Sequence, residues 1–338
     1  MTRFNPIRFL ALLLLPGLLF QCSRELDLEI PEVEPEPVVN ANFTVGEPVH
    51  IELSMSGGTG EYTSLDPVVG AEVRIYEDGQ LHTDLEEELV LGHGSFPMWQ
   101  GVFWSGADQD RYFPVLKTTD LRVKEESEYR IEVDIPGYET ISGQTVAPET
   151  PSWEILSSVD SPVVWGNAIY MDTIHFIRTK LRVYDDGSEL RYYHLSPRAQ
   201  KDSLSPFRVA PVRSNDEVLF EYFLNIPLIV GDFEFYNDDS PVQHNNGYPP
   251  LFSNRKFKNG YHDFELTYNK SGQFEEDGAR HIYCLYRLES EYFEFLRASF
   301  QQKALLDNPF SEPVLIPSNV VNALGVVAGT AVDTIPIN

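Results

Sequence analysis

From Val38 onward, short runs of alternating or clustered apolar residues are separated by turn residues. Val38 to Val45 and Val49 to Ser54 are apolar and β-branched, and Gly57-Gly58-Thr59-Gly60 breaks the chain after them. Val68 to Tyr76 alternates and then turns at Glu77-Asp78-Gly79. Tyr129 to Ile135 alternates with Tyr, Ile, Val and Ile on one face, Pro136-Gly137 ends it, and Thr140 to Val146 continues. Runs of this length with turn signals at this spacing predict strands of a β-sandwich. The second half continues the pattern, with strand candidates at Thr179 to Tyr184, Glu189 to Leu195, Val218 to Leu224, Asp263 to Tyr268 and His281 to Leu288. Asn225 to Gly260, rich in Asn, Asp, Pro and Gly, reads as a long loop or set of loops.

One segment has a different period. Phe293, Leu296 and Phe300 recur at i, i+3 and i+7, which puts them on one helix stripe. Ser290 is placed to cap that helix, Glu291 and Glu294 lie in its first turn, and Asn308-Pro309 stops the run. The spacing predicts one short helix over 291–305, its stripe packed into a core. The fold class is therefore mainly β: two β-sandwich-like domains, the first immunoglobulin-like, with one short helix near the C terminus. Pro148-Glu149-Thr150-Pro151 reads as the linker, dividing 38–149 from 150–338.

The first residues follow neither pattern. Arg3 and Arg8 precede an apolar run from Phe9 to Phe20. A run of about twelve residues is too short for a bilayer core, which needs about 20. A positive start and a short apolar stretch form a secretory signal, so residues 1–21 are set apart from the fold. The run ends in Leu19-Phe20-Gln21-Cys22-Ser23, which resembles the lipobox of bacterial lipoproteins, with Gln21 where Gly, Ala or Ser is usual. That resemblance implies cleavage before Cys22 and a diacylglycerol thioether on its sulfur. Ser23 to Pro37 then holds six acids and three prolines. With little to bury, 22–37 reads as an extended, self-repelling tether.

Composition narrows the partners. The formal charge is −27, and removing residues 1–21 takes away Arg3 and Arg8 and no acid, which brings it to −29. Such a surface repels nucleic acid and anionic head groups. At 42% hydrophobic and 12% aromatic the chain can build cores. There are two cysteines, so with Cys22 lipidated Cys284 has no intrachain partner and reads as a small buried hydrophobe. Membrane attachment then rests on Cys22 alone.

Catalytic patterns do not close. Gly92-His93-Gly94-Ser95 lacks the second glycine of a nucleophile elbow, since Pro97 stands there. The histidines, among them His175, His194, His244, His262 and His281, form no i, i+4 zinc pair. Asp108-Gln109-Asp110 and Asp238-Asp239 lack the interval of a calcium loop. No phosphate loop, cofactor motif or metal site is expected. Phe96, Trp99, Phe103, Trp104, Tyr112 and Phe113 are dense and read either as sandwich-edge packing or, if exposed, as a stacking or docking patch.

The last third carries a family resemblance. Leu288 to Leu296, then Asn308-Pro309-Phe310-Ser311-Glu312-Pro313, then Ser318-Asn319-Val320 to Gly325 resemble the closing signature of the lipoprotein family known as domain of unknown function 4249. Gly70-Ala71-Glu72-Val73, Tyr129 to Ile135 and Phe252 to Leu266 resemble its earlier parts, and Asn322-Ala323 stands where the family usually has Gly. The resemblance implies an outer-membrane lipoprotein, often encoded beside a TonB-dependent transporter, and implies no activity. The expectation is a non-enzymatic, surface-exposed outer-membrane lipoprotein, accessory to a TonB-dependent receptor. The rival readings are an adhesin or structural surface module, and a hydrolase whose site forms only on folding. No small-molecule or glycan cargo is legible, and Cys22 is the one functional residue that transfers.

Overall fold

A computed structural model describes residues 34–56, 66–68, 70–82, 84–91, 112–166, 171–200, 208–209, 212–214, 216, 218–219, 250–269, 280–305, 312 and 314–337. Apart from Glu34, the described residues lie in one compact unit, Pro35–Gly57 with Tyr62–Asn338, and the fold below is that of this unit.

It is mainly β, in several sheets, with one α-helix near the C terminus. The first strands are β1 (Pro37–Thr44), β2 (His50–Met55), β3 (Asp66–Pro67), β4 (Glu72–Glu77), β5 (Gln80–His82), β6 (Leu85–Leu91) and β7 (Tyr112–Thr118). Next come β8 (Glu128–Asp134), β9 (Ile141–Val146), β10 (Ser152–Gly166), β11 (Met171–Tyr184), β12 (Tyr192–Gln200), β13 (Arg208–Val209) and β14 (Val212–Arg213). The last are β15 (Leu251–Ser253), β16 (Tyr261–Asn269), β17 (Arg280–Leu288), helix α1 (Ser290–Leu305), β18 (Val320–Val321) and β19 (Leu324–Ile337). Among the described residues the largest sheet has ten strands, with the path β13-β12-β17-β19-β1-β2-β7-β6, β15 joined to β12 and β3 to β2. A four-stranded sheet follows the order β10-β11-β16-β14, and a five-stranded one β18-β9-β8-β4-β5.

Side-chain parity shows how the sheets stack. Val39, Ala41 and Phe43 of β1 share a core with Val73 and Ile75 of β4 and Ile131 and Val133 of β8. Leu181 and Val183 of β11 share another with Leu195 of β12 and Tyr283 and Leu285 of β17. On β19, Val327 joins the first core while Ile335 and Ile337 pack on the second. These odd positions point the same way in a strand, so both smaller sheets cover one face of the ten-stranded sheet. The even positions Val326 and Ala328, with Ile282, Cys284 and Leu288 of β17, meet Tyr292, Phe293, Leu296 and Phe300 of α1 on the opposite face. Residues 38–149 and 150–338 both contribute to the large sheet, where β1 and β19 pair in parallel from Val38↔Leu324 to Thr44↔Thr330.

Local chemistry fixes several details. Tyr129, at the start of β8, is fully buried, and its hydroxyl accepts the Lys124 N–H at 2.8 Å. The arrangement resembles the tyrosine corner of immunoglobulin-like sandwiches. The same hydroxyl donates to Glu77 at 2.7 Å, and Lys124 Nζ donates to the other Glu77 oxygen at 2.8 Å. The helix occupies the expected span, but its cap is Glu289 rather than Ser290. The Glu289 carbonyl accepts the Phe293 N–H at 3.0 Å and its carboxylate accepts the Glu291 N–H at 2.8 Å. A carboxylate there meets free N–H groups and the positive end of the helix dipole together. Leu251–Ser253, expected within a loop, forms β15 against Tyr192 to His194.

Candidate functional site

Three polar clusters stand out among the described residues. The first is built on the Asp185-Asp186-Gly187 turn that ends β11. The Asp185 side chain has no solvent exposure. Its oxygens accept from the Tyr193 hydroxyl, from Asn254 Nδ2 at 2.9 Å, from the Gly187 N–H at 2.8 Å and from Arg191 Nη1 at 3.3 Å. Asn254 closes the ring, accepting the Arg191 N–H at 3.1 Å and donating to the Glu189 carbonyl at 2.6 Å. Burial, then the Asp185 contact, pushes the Tyr193 phenol far above its ordinary value. With four donors on it, Asp185 pins the 185–191 loop and β15 to the second core.

The second is an Asp–His pair. His262 Nε2 lies 2.9 Å from Asp216 Oδ2, with the two side chains 24% and 20% exposed. Its ring sits against Phe257 and Phe264, with centroids at 5.5 and 4.5 Å. Asp216 is itself oriented: its Oδ1 accepts the Val218 N–H at 2.8 Å and its N–H donates to Ser214 Oγ at 3.0 Å. A carboxylate orienting an imidazole is half of an acid–base catalyst. The other half is a nucleophile within hydrogen-bond reach of the second ring nitrogen. Ser214 does not fill that role, since it donates its proton to the Glu265 carbonyl at 2.5 Å. The pair clamps the segment around Asp216 to β16.

The third lies on the helix-facing side of β12 and β17, where His194 pairs with Tyr286 and Ser196 with Cys284. The His194 ring stacks 5.7 Å from Tyr286, and the Arg198 guanidinium sits 5.4 Å over the same ring. As residue types these could supply a nucleophile and a base. Burial decides against it. It pushes the Cys284 thiol and the Tyr286 phenol up and brings His194 down to about 3, Arg198 adding to the last effect. A buried neutral thiol is inert, in keeping with the small buried hydrophobe expected at Cys284.

Cys22, His93, Ser95, Phe96, Trp99, Phe103, Trp104, Asp108, Asp110, Asp238, Asp239 and His244 lie outside the described residues. Tyr112, Phe113 and His175 fall within β7 and β11, with side chains outside the described set. Among the described residues no group of three or more His, Cys, Asp or Glu could hold a metal ion. Nor is any helix there long and apolar enough to cross a membrane.

The model of the family described as Domain of unknown function (DUF4249) matches residues 23–335. The chain belongs to that family. No curated protein matches it. In this DUF4249 chain the signature around Ser318 to Gly325 turns out to be architectural. Asn319 bonds both main-chain groups of one residue in β19, accepting the Val327 N–H and donating to the Val327 carbonyl, each at 2.8 Å. Asn322 takes φ of 63°, a conformation Asn tolerates better than most side chains. Gly325, at φ of 113°, has room for no Cβ, which would lie 2.1 Å from the Val39 carbonyl oxygen. These residues carry the chain from the five-stranded sheet into β19, the strand common to both sandwiches.

Proposed function

We propose that this DUF4249 chain is a surface-exposed, lipid-anchored outer-membrane protein that acts by binding, as accessory or partner of a TonB-dependent transporter. The observation that carries the reading is the order of segments at the N terminus. A positive start, a short apolar run and Cys22 are followed by the acidic tether and then by β1. An acylated Cys22 would hold the folded body at the membrane, and confinement to the transporter's own surface raises the effective concentration of each for the other.

Binding rather than turnover is supported by how these carboxylates are engaged. Buried Asp185 and Glu77 and half-buried Asp216 are each tied to side chains or backbone of this same chain. The transporter as partner follows from the family resemblance. Crosslinking in intact cells tests it. The lipidated protein should be recovered with an outer-membrane barrel, and Cys22→Ala should abolish that recovery along with membrane retention. If no transporter is captured while other surface lipoproteins capture theirs, the accessory role fails and a free-standing surface module takes its place.

A further inference from the structure

The end of the first sandwich from which the chain leads back toward Cys22 carries an apolar rim. β1 begins at Pro37, and its second residue, Val38, pairs with Leu324. Leu324 is 43% exposed and Val321, across the Asn322-Ala323 turn, is 58% exposed. Asn322 Nδ2 ties that turn to the β8–β9 turn through the Thr140 carbonyl at 3.0 Å. Two residues before Thr140 stands Tyr138, 46% exposed. Met55, at the end of β2 opposite Pro37, completes the same end.

We infer that this rim, Tyr138, Val321 and Leu324, is the part of the folded body that rests on the lipid surface. The inference rests on the Cys22 anchor proposed above. The chain from Cys22 through Glu36 is fifteen residues. A self-repelling chain of that length reaches about 50 Å at full stretch, so the end bearing β1 is the end of the body tied nearest to the anchor. Tyrosine with aliphatic neighbours is the composition that settles at the interface between water and acyl chains. The neighbouring charges define the lipid. Glu36, Glu72, Asp134 and Glu139 lie on this side with one cation, Arg74, paired to Glu72 and Asp134, so the net negative rim suits net-neutral zwitterionic head groups and is repelled by anionic ones.

The test uses lipidated protein purified from membranes and reconstituted in phosphatidylcholine vesicles containing a spin-labelled quencher lipid. One variant carries Val321→Cys and another Glu47→Cys, each labelled with a small thiol-reactive fluorophore. Glu47 follows the other end of β1, a strand length or roughly 25 Å away. Cys284, at 2% exposure, stays unlabelled in the folded protein. The label at 321 should be quenched and the label at 47 should not. Co-flotation with equal quenching at both positions, or with none at 321, overturns the rim contact and leaves the anchor standing. Failure of the protein to float with the vesicles overturns the anchor and the rim contact together.

Discussion

His194 makes the stability of this fold depend on pH in a way its surroundings define. Its ring is enclosed beneath α1 and its Nδ1 lies 3.3 Å from the Pro250 carbonyl, so the neutral tautomer that donates there is the one the site accepts. Burial first, and the Arg198 charge second, bring its pKa to about 3. An unfolded chain binds the same proton near the usual histidine value of about 6.5. The folded pKa is the lower one, so the unfolded state takes up the proton first as pH falls. Stability from this residue is complete above about pH 6.5 and declines as pH drops toward 3. The limiting slope is about 1.4 kcal/mol per pH unit, which puts the loss at about 2 kcal/mol by pH 5. The many carboxylates add their own pH dependence, so the comparison is with His194→Phe, which keeps them. The Pro250 carbonyl is not orphaned by that change, because it also accepts the Leu195 N–H at 3.1 Å. Urea unfolding of both proteins at pH 7.5 and pH 5 should show wild type losing about 2 kcal/mol more than the variant. Parallel losses would mean that His194 titrates alike in both states, and the burial argument would be refuted.

Three further outcomes follow from packing. Gly329→Ala places a Cβ 2.2 Å from the Val146 carbonyl oxygen, where β9 crosses β19, and should cost about 1–3 kcal/mol in urea unfolding. Tyr129→Phe removes the hydroxyl shared by Lys124 and the buried Glu77 and should cost about 1–3 kcal/mol, read as a lower melting temperature. Cys284 should resist thiol reagents in the native protein and react fully in denaturant, since burial both hides it and keeps it protonated.

Much of the fold is legible in the sequence because many strands bury one face only. Tyr129 to Ile135 alternates in sequence and alternates in burial, as does the run that forms β4. β19 carries no such strand signal, and the reason is physical. Its first half is covered by a sandwich core on one side and by α1 on the other, so Val326, Val327 and Ala328 are all buried and no period of two survives. β10 hides for the opposite reason: as the edge of its sheet it tolerates Ser, Asp and Pro at many positions. The helix cap falls on Glu289 instead of Ser290 because backbone geometry, not residue type, chooses the cap position. The Asp185 cluster is visible in sequence only as a turn. Its closing partner, Asn254, stands 69 residues away in the chain, and no local pattern announces such a contact.

Cys22 carries the central claim. Intact-mass measurement of the protein extracted from membranes should give a chain beginning at Cys22 and heavier than its sequence by a diacylglycerol and an amide-linked acyl chain. A mass equal to the unmodified chain, or a start at any other residue, would contradict the lipid anchor and with it the proposed place at the outer membrane.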